Sequence, residues 1–106
     1  MTIKHITMFT VKKDAKKEEI HALLHGLLGL ASKIQQIKSN EVGADLCLQP
    51  SHPAATENRS LCWTVCFETK LDFAVFERHP AHEKVETFMI QPLVQEGTRA
   101  TIQYEC

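Results

Sequence analysis

The amino-acid sequence predicts an α+β fold whose elements follow the order β-α-β-β-α-β. Two patterns carry this prediction. Residues along Ile3–Val11 and Leu61–Phe67 follow the two-residue period of a strand. Between them, apolar residues from Ile20 to Ile34 recur at the three- and four-residue spacing of a helix. Because 106 residues is the usual size of one domain, a single domain over residues 1–106 is expected.

The composition is that of a globular protein, and it argues against several classes of partner. Hydrophobic residues make up 43% of the chain and charged residues 24%, close to globular averages. A net charge of −1 gives no basic surface for nucleic acid or for an anionic membrane. No apolar run approaches the roughly 20 residues of a membrane span, and the N-terminal residues alternate where a signal peptide would be continuously apolar. The sequence therefore predicts a cytoplasmic protein with no nucleic-acid and no membrane partner.

The first half of the chain is predicted to contain a strand, a helix and a second strand. The strand spans Ile3–Val11, with large apolar groups on both faces. Asp14 can cap a helix from about 15 to 34, whose apolar stripe is rich in leucine. A second strand is expected within Ser39–Leu48. Gln49–Ser60 holds two prolines and a polar run, which indicates a loop.

The second half begins with the clearest strand of the chain, Leu61–Phe67. Thr69 can cap a short helix that Pro80 interrupts, because the residue before a proline avoids the helical conformation. The helical pattern then resumes and is expected to end near Gly97. A last strand is expected at Arg99–Glu105, and it completes the order β-α-β-β-α-β. This order is that of the split ferredoxin-like arrangement.

Both faces of the predicted sheet carry large apolar side chains, although the helices of such a fold cover only one. A symmetric second copy is the simplest cover for the other face. The sequence therefore predicts a homodimer that forms through the sheet. A charge introduced at Trp63 or Val65, on the strand with the strongest pattern, is expected to give monomer or aggregate.

The cysteines are expected to be reduced and mostly buried. They lack the CxxC and zinc-ligand spacings, and they are Cys47, Cys62, Cys66 and Cys106. If Val42 lay opposite Phe67 in the sheet, Cys47 would lie beside Cys62. A redox role stays open, but a buried thiol is ordinarily a small hydrophobic group.

Three parts of the sequence resemble the stress-responsive A/B barrel (Dabb) family. The first two are the predicted strand Ile3–Phe9 and the pair Val42-Gly43 after the leucine-rich helix. The third is the tetrapeptide His79-Pro80-Ala81-His82, together with Tyr104-Glu105 near the last residue of the chain. The resemblance covers essentially the whole chain. It implies a ferredoxin-like protomer that forms a dimeric α+β barrel with a second copy. The family's functions are mixed and include the plant polyketide cyclase olivetolic acid cyclase.

That cyclase implies a candidate catalytic pair. Its general base is a histidine at the end of the HPxH motif, which matches His82, and a first-strand histidine in the same pocket matches His5. Imidazole suits proton removal near neutral pH. Its supporting tyrosine falls on Phe76, and two further polar pocket positions fall on Leu27 and Leu61. The resemblance thus implies an apolar pocket for planar hydrophobic ligands, lined by Phe76, Leu61 and Leu27. Trp63, which can instead pack in the barrel or at the dimer interface, and Phe9 are further candidates for this lining.

No cofactor and no metal are predicted. His21 and His25 have a chelating spacing but lie on the polar face of the first predicted helix, and Pro80 disrupts the alignment of His79 with His82. Some relatives hold magnesium through backbone carbonyls, which leave no mark in a sequence.

Three functions stay open at this stage. The chain is a ligand-binding stress-associated barrel, an enzyme that uses His82 as acid and base on a small carbonyl or phenolic substrate, or a mainly structural oligomer. The first is the leading hypothesis, because the cyclase's polar partners are missing.

Overall fold

Four antiparallel strands form one sheet in the computed structural model, which describes residues 2–54 and 57–106. The strands are β1 (Ile3–Phe9), β2 (Ser39–Ala44), β3 (Leu61–Phe67) and β4 (Ala100–Glu105), in the spatial order β2-β3-β1-β4. The helices are α1 (Lys17–Lys33), α2 (Lys70–Arg78) and α3 (Pro80–Val85), and a π-helical segment, Glu86–Ile90, continues α3. This topology confirms the ferredoxin-like α+β prediction.

Alternation along the two central strands divides the sheet into a buried and an open face. The buried face packs against the helices through Ile3, His5, Thr7, Phe9, Leu61, Trp63, Val65 and Phe67. The open face carries Lys4, Ile6, Met8, Cys62, Thr64, Ala100, Ile102 and Tyr104. Trp63 and Val65 are thus core residues, only 1% and 0% exposed. A charge at either position would therefore disrupt the core first, because both belong to the register that faces the helices, and the predicted monomer or aggregate stays a prediction.

Helix α1 buries its leucine stripe on the sheet, as predicted, through Leu23, Leu27 and Leu30. Its cap differs from the prediction. Asp14 lies before the helix, and the N-cap is Lys16, whose backbone N–H donates to Oε1 of Glu19 at 3.0 Å. The acidic side chain of the first turn therefore satisfies a free N–H group that a preceding aspartate was expected to satisfy.

The helical region after β3 is broken once, at His79, and changes to a π-helix at Glu86. Oγ1 of Thr69 accepts from the N–H of Asp72 at 3.1 Å, which confirms the predicted cap of α2. Pro80 then opens α3, where it needs no hydrogen-bond donor. The π-helical segment follows, closed by the N–H of Gln91 donating to the carbonyl of Glu86. The helix does not reach Gly97, whose φ of +79° instead turns the chain toward β4.

The pairing of β2 with β3 corrects the expected register. Val42 lies opposite Trp63, and Gly43 lies opposite Cys62, so Cys47 is beyond the paired strand. The cysteines are free: Cys66 is buried, Cys62 half-buried, and Cys47 and Cys106 exposed. The expectation of mostly buried thiols fails because two of the four lie outside the core strands.

Within the described ranges, no helix is both long and apolar enough to cross a membrane. The cytoplasmic location stays a prediction.

Candidate functional site

A cleft of about 670 Å³ opens between the helical segment after α2 and the strands β1 and β4. Its lining comes from five elements and from the residue that precedes β4. The lining residues are His5, Glu77, His82, Glu83, Glu86, Thr87, Arg99, Thr101 and Gln103. Both predicted catalytic histidines are among them. The volume lies within the range of about 300–1,000 Å³ that is usual for small-molecule sites.

His5 lies at the inner end of the cleft with both ring nitrogens engaged. The amide Nε2 of Gln103 donates to Nδ1 of His5 at 2.8 Å, and Nε2 of His5 lies 3.3 Å from Oγ1 of Thr7. Because Nδ1 accepts, the neutral ring carries its proton on Nε2 and donates it to Thr7. Burial lowers the pKa of His5 below its ordinary value of 6.5. His5 is therefore a fixed, neutral ring near pH 7.

The opposite tautomer is favoured at His82. Nδ1 of His82 lies 3.2 Å from the backbone carbonyl of Glu77, which can only accept a hydrogen bond, so Nδ1 carries the proton. The neutral ring then presents the lone pair of Nε2. Pro80 and the N-cap residue His79 fix this turn of α3, since Nδ1 of His79 accepts from the N–H of Ala81 at 3.0 Å. The motif thus positions His82 through backbone contacts.

Phe76 packs against the rings of both histidines on the core side of the cleft. Its ring centroid lies 4.3 Å from that of His82 and 6.1 Å from that of His5, and its side chain is 0% exposed. Trp63 lies 5.9 Å from Phe76, and its Nε1 donates to Oδ1 of Asn40 at 2.6 Å. Both aromatic residues support the histidine rings from the core and do not belong to the cleft lining.

The other predicted contact residues lie farther from the histidines. Phe9 and Leu27 are 0% exposed and belong to the core, and Leu61, 8% exposed, lines a separate pocket with Met8 and Cys62. The structure therefore does not bring Phe9, Leu27 and Leu61 to the cleft of His5 and His82. They fill the space between sheet and helices, where a large apolar side chain is most strongly stabilised.

The residues that line the cleft are all polar or charged, whereas an apolar wall was expected. Arg99 forms a bidentate ion pair with Glu86, in which Nη2 of Arg99 lies 3.0 Å from Oε2 of Glu86. Glu77 and Glu83 contribute two further carboxylates. Arg99 is the one lysine or arginine that lines the cleft among the residues described, and its charge is already matched by Glu86.

Several residues that line the cleft were not predicted, although the sequence contained a pattern that indicated some of them. Thr101, Gln103 and Glu105 are the polar half of the alternation in the last strand, and β4 pairs with β1 in a register that places Gln103 opposite His5. The polar alternation could therefore have indicated a site. Glu86 and Thr87 gave no such signal, because the π-helical segment that directs them to the cleft has no recognisable sequence pattern.

No group of three or more His, Cys, Asp or Glu side chains in residues 2–54 and 57–106 is arranged to hold a metal ion. His21 and His25 are both exposed on α1.

The family model for the Stress responsive A/B Barrel Domain matches residues 3–106. The chain belongs to this family. It is 34% identical to the stress-response A/B barrel domain-containing protein At5g22580 of Arabidopsis thaliana over 79 residues, which are 74% of this chain and 66% of that protein.

Solved structures share the fold. A crystal structure of At3g17210 from Arabidopsis thaliana superposes with a TM-score of 0.81 at 24% identity, covering 98% of this chain and 94% of that one. A ferredoxin-like protein of unknown function from Thermobifida fusca, described as dimeric, also gives 0.81, at 22% identity and with 100% and 92% covered. These likenesses place the chain among ferredoxin-like proteins of which some are dimers.

Proposed function

We propose that this stress-responsive A/B barrel protein binds a small, neutral, planar compound that carries a hydroxyl or carbonyl group. The main observation in support of the proposal is that His5 and His82 line the same cleft. His82 offers the lone pair of Nε2, and lining hydroxyl and amide groups offer further hydrogen bonds. A pocket of this volume with a few convergent polar groups is typical of a small-molecule site.

The charges around the cleft favour a neutral ligand. Arg99 is paired with Glu86, which leaves Glu77 and Glu83 without a matching cation in the lining. An anionic ligand would meet these two carboxylates and would have to displace Glu86 from Arg99. A neutral compound avoids both costs and still reaches the hydrogen-bonding groups.

The chain acts as a homodimer in this proposal. Its open face exposes Met8, Ile102 and Tyr104 by 38%, 54% and 42%. Contiguous apolar groups of this kind on a sheet favour a symmetric partner. The dimeric description of the Thermobifida fusca protein supports the same arrangement.

Titration of the protein with 2-naphthol, followed in ¹H–¹⁵N NMR spectra, tests ligand binding. Shifts are expected to concentrate at Thr87, Thr101 and Gln103, and His82→Gln should weaken binding about tenfold because it removes the imidazole ring from the cleft lining. The exposed His25→Gln is the matched control and should leave the affinity unchanged. Absence of shifts at millimolar 2-naphthol, or shifts confined to the open face, would overturn the proposal.

A second function, proton transfer, is favoured by the tautomer of His82. Its Nδ1–H is held by the carbonyl of Glu77, so Nε2 is the nitrogen that can remove a proton from a ligand in the cleft. Phe76 offers no hydroxyl to assist, and the site therefore supports slow proton removal more readily than a complete cyclisation.

Exchange of the benzylic protons of phenylacetone in D2O tests this second function. The proton would pass from carbon to Nε2 of His82, and a deuteron from solvent would replace it. Exchange should fall to the buffer rate in His82→Gln and should rise in Phe76→Tyr, which supplies the missing hydroxyl. Exchange by the wild-type protein at the buffer rate would exclude His82 as a base for this substrate.

A further inference from the structure

Gln103 occupies a boundary between two pockets. On one side is the polar cleft of His5 and His82, and on the other is a smaller pocket of about 360 Å³. The smaller pocket is lined by Ile3, Lys70, Phe73, Gln103, Tyr104 and Glu105. Gln103 is the residue that lines both, so a ligand that extends from one pocket into the other has to pass its side chain.

The orientation of the Gln103 amide is fixed from the sheet side. Its Nε2 donates to Nδ1 of His5, and His5 is in turn held by Oγ1 of Thr7. His5 is 9% exposed and Thr7 is 0% exposed, so the anchoring part of this chain of hydrogen bonds is buried. One N–H of the amide is engaged by His5, which leaves the second N–H and the oxygen Oε1 free, and Oε1 is the acceptor that this exposed side chain can offer to a ligand hydroxyl.

We infer that Gln103 determines specificity, accepting a hydrogen bond through Oε1 from a ligand hydroxyl while the ligand's apolar body extends toward Ile3 and Phe73. This inference rests on the proposed small-molecule function and names the ligand class more narrowly. The ring of Phe73 lies 5.2 Å from that of His5, which places an aromatic surface next to the hydrogen-bonding group. A hydroxyl donor at one end of a planar apolar molecule satisfies both features.

The same geometry gives the two histidines different tasks. Both ring nitrogens of His5 are hydrogen-bonded, one to Gln103 and the other to Thr7, so His5 acts as a positioning residue for the Gln103 amide. His82 keeps a nitrogen for a second donor group of the ligand, because the one proton of a single hydroxyl cannot be donated to Oε1 of Gln103 and to Nε2 of His82 together. A ligand that cannot donate a hydrogen bond would leave Oε1 of Gln103 unpaired in the complex, and an unpaired polar group is costly once water is excluded.

The test compares 2-naphthol with 2-methoxynaphthalene, which has the same ring system but no hydroxyl proton. The wild-type protein should bind 2-naphthol about tenfold more tightly in NMR titrations. Gln103→Met, which keeps the side-chain length without the amide, should bring the ratio of affinities to about one. Gln95→Met is the matched control, because it makes the same substitution at an exposed glutamine that lines neither pocket, and it should keep the tenfold ratio.

The outcomes separate the two proposals. A tenfold ratio that persists in folded Gln103→Met would overturn the role of Gln103 while leaving the binding function intact. Failure of the wild-type protein to bind either compound would overturn both. As an independent readout, ¹⁵N shifts of the His5 ring should report protonation at Nε2 in the wild type. A wild-type ring protonated at Nδ1 would contradict donation by the Gln103 amide.

Discussion

The ring centroids of Phe76 and His82 lie 4.3 Å apart, and Phe76 also contacts the rings of Phe67, Phe73 and Trp63. Phe76→Ala should lower the free energy of unfolding by about 3–5 kcal/mol, because it leaves a cavity among these rings. Urea denaturation measures the change. Phe88→Ala removes a phenylalanine that is 73% exposed and should cost less than about 0.5 kcal/mol. Equal effects of the two substitutions would mean that Phe76 does not support the site.

Two glycines of α1 should respond oppositely to alanine. A Cβ at Gly26 would collide with Sδ of Met89, whereas nothing lies within 4 Å of a Cβ at Gly29. Gly29→Ala should therefore stabilise the protein by up to about 1 kcal/mol through helix propensity. Gly26→Ala should destabilise it by about 1–3 kcal/mol through overpacking, and Met89→Ala in the same chain should recover much of the loss. Thermal unfolding of Gly29→Ala, Gly26→Ala, Met89→Ala and the double variant of Gly26 and Met89 would decide, and a stabilising Gly26→Ala would contradict the close packing.

Stability should depend on pH through His5. Burial lowers its pKa in the folded protein, so the unfolded chain binds more protons at this residue between the folded-state pKa and about 6.5. Stability should consequently rise with pH across that window and level off above about 6.5. His5→Gln should flatten this part of the curve, whereas the exposed His25→Gln should not. A curve that is unchanged in His5→Gln would mean that other groups cause the dependence.

The open face should control the oligomeric state. Ile102→Glu places a charge on an apolar residue of that face and should reduce the mass measured by sedimentation from twice the 12.0 kDa of the chain to the chain mass. Leu71→Glu alters a residue of α2 that is 73% exposed and should leave the dimer intact. A wild-type protein that sediments as a monomer at micromolar concentration would contradict the dimer.

Local patterns predicted the main elements because each has a strong period. The alternation of β1 and β3 and the leucine stripe of α1 report which side chains face the core, and the structure has all three. The alternation of side chains does not determine the register between neighbouring strands. A shift of four residues between β2 and β3 keeps every side chain on its own face, so alternation could not distinguish Val42 opposite Trp63 from Val42 opposite Phe67.

The candidate site was only partly predictable for a similar reason. The family resemblance implied His82, through the HPxH motif, and His5, through the first strand, and the structure brings them to one cleft. The polarity of that cleft depends on Glu86 and Arg99, which lie 13 residues apart and meet through the π-helical segment and the turn before β4. Contacts of this kind depend on tertiary packing, which single-sequence patterns do not report.

A crystal structure of the protein with 2-naphthol tests the central claim, a ligand site shared by His5 and His82, most directly. The ligand is expected in the cleft that His5 and His82 line, with its hydroxyl within hydrogen-bond distance of Oε1 of Gln103 and its ring system extending toward Phe73. The ligand bound in the separate pocket of Met8, Leu61 and Cys62, or on the open face alone, would contradict it.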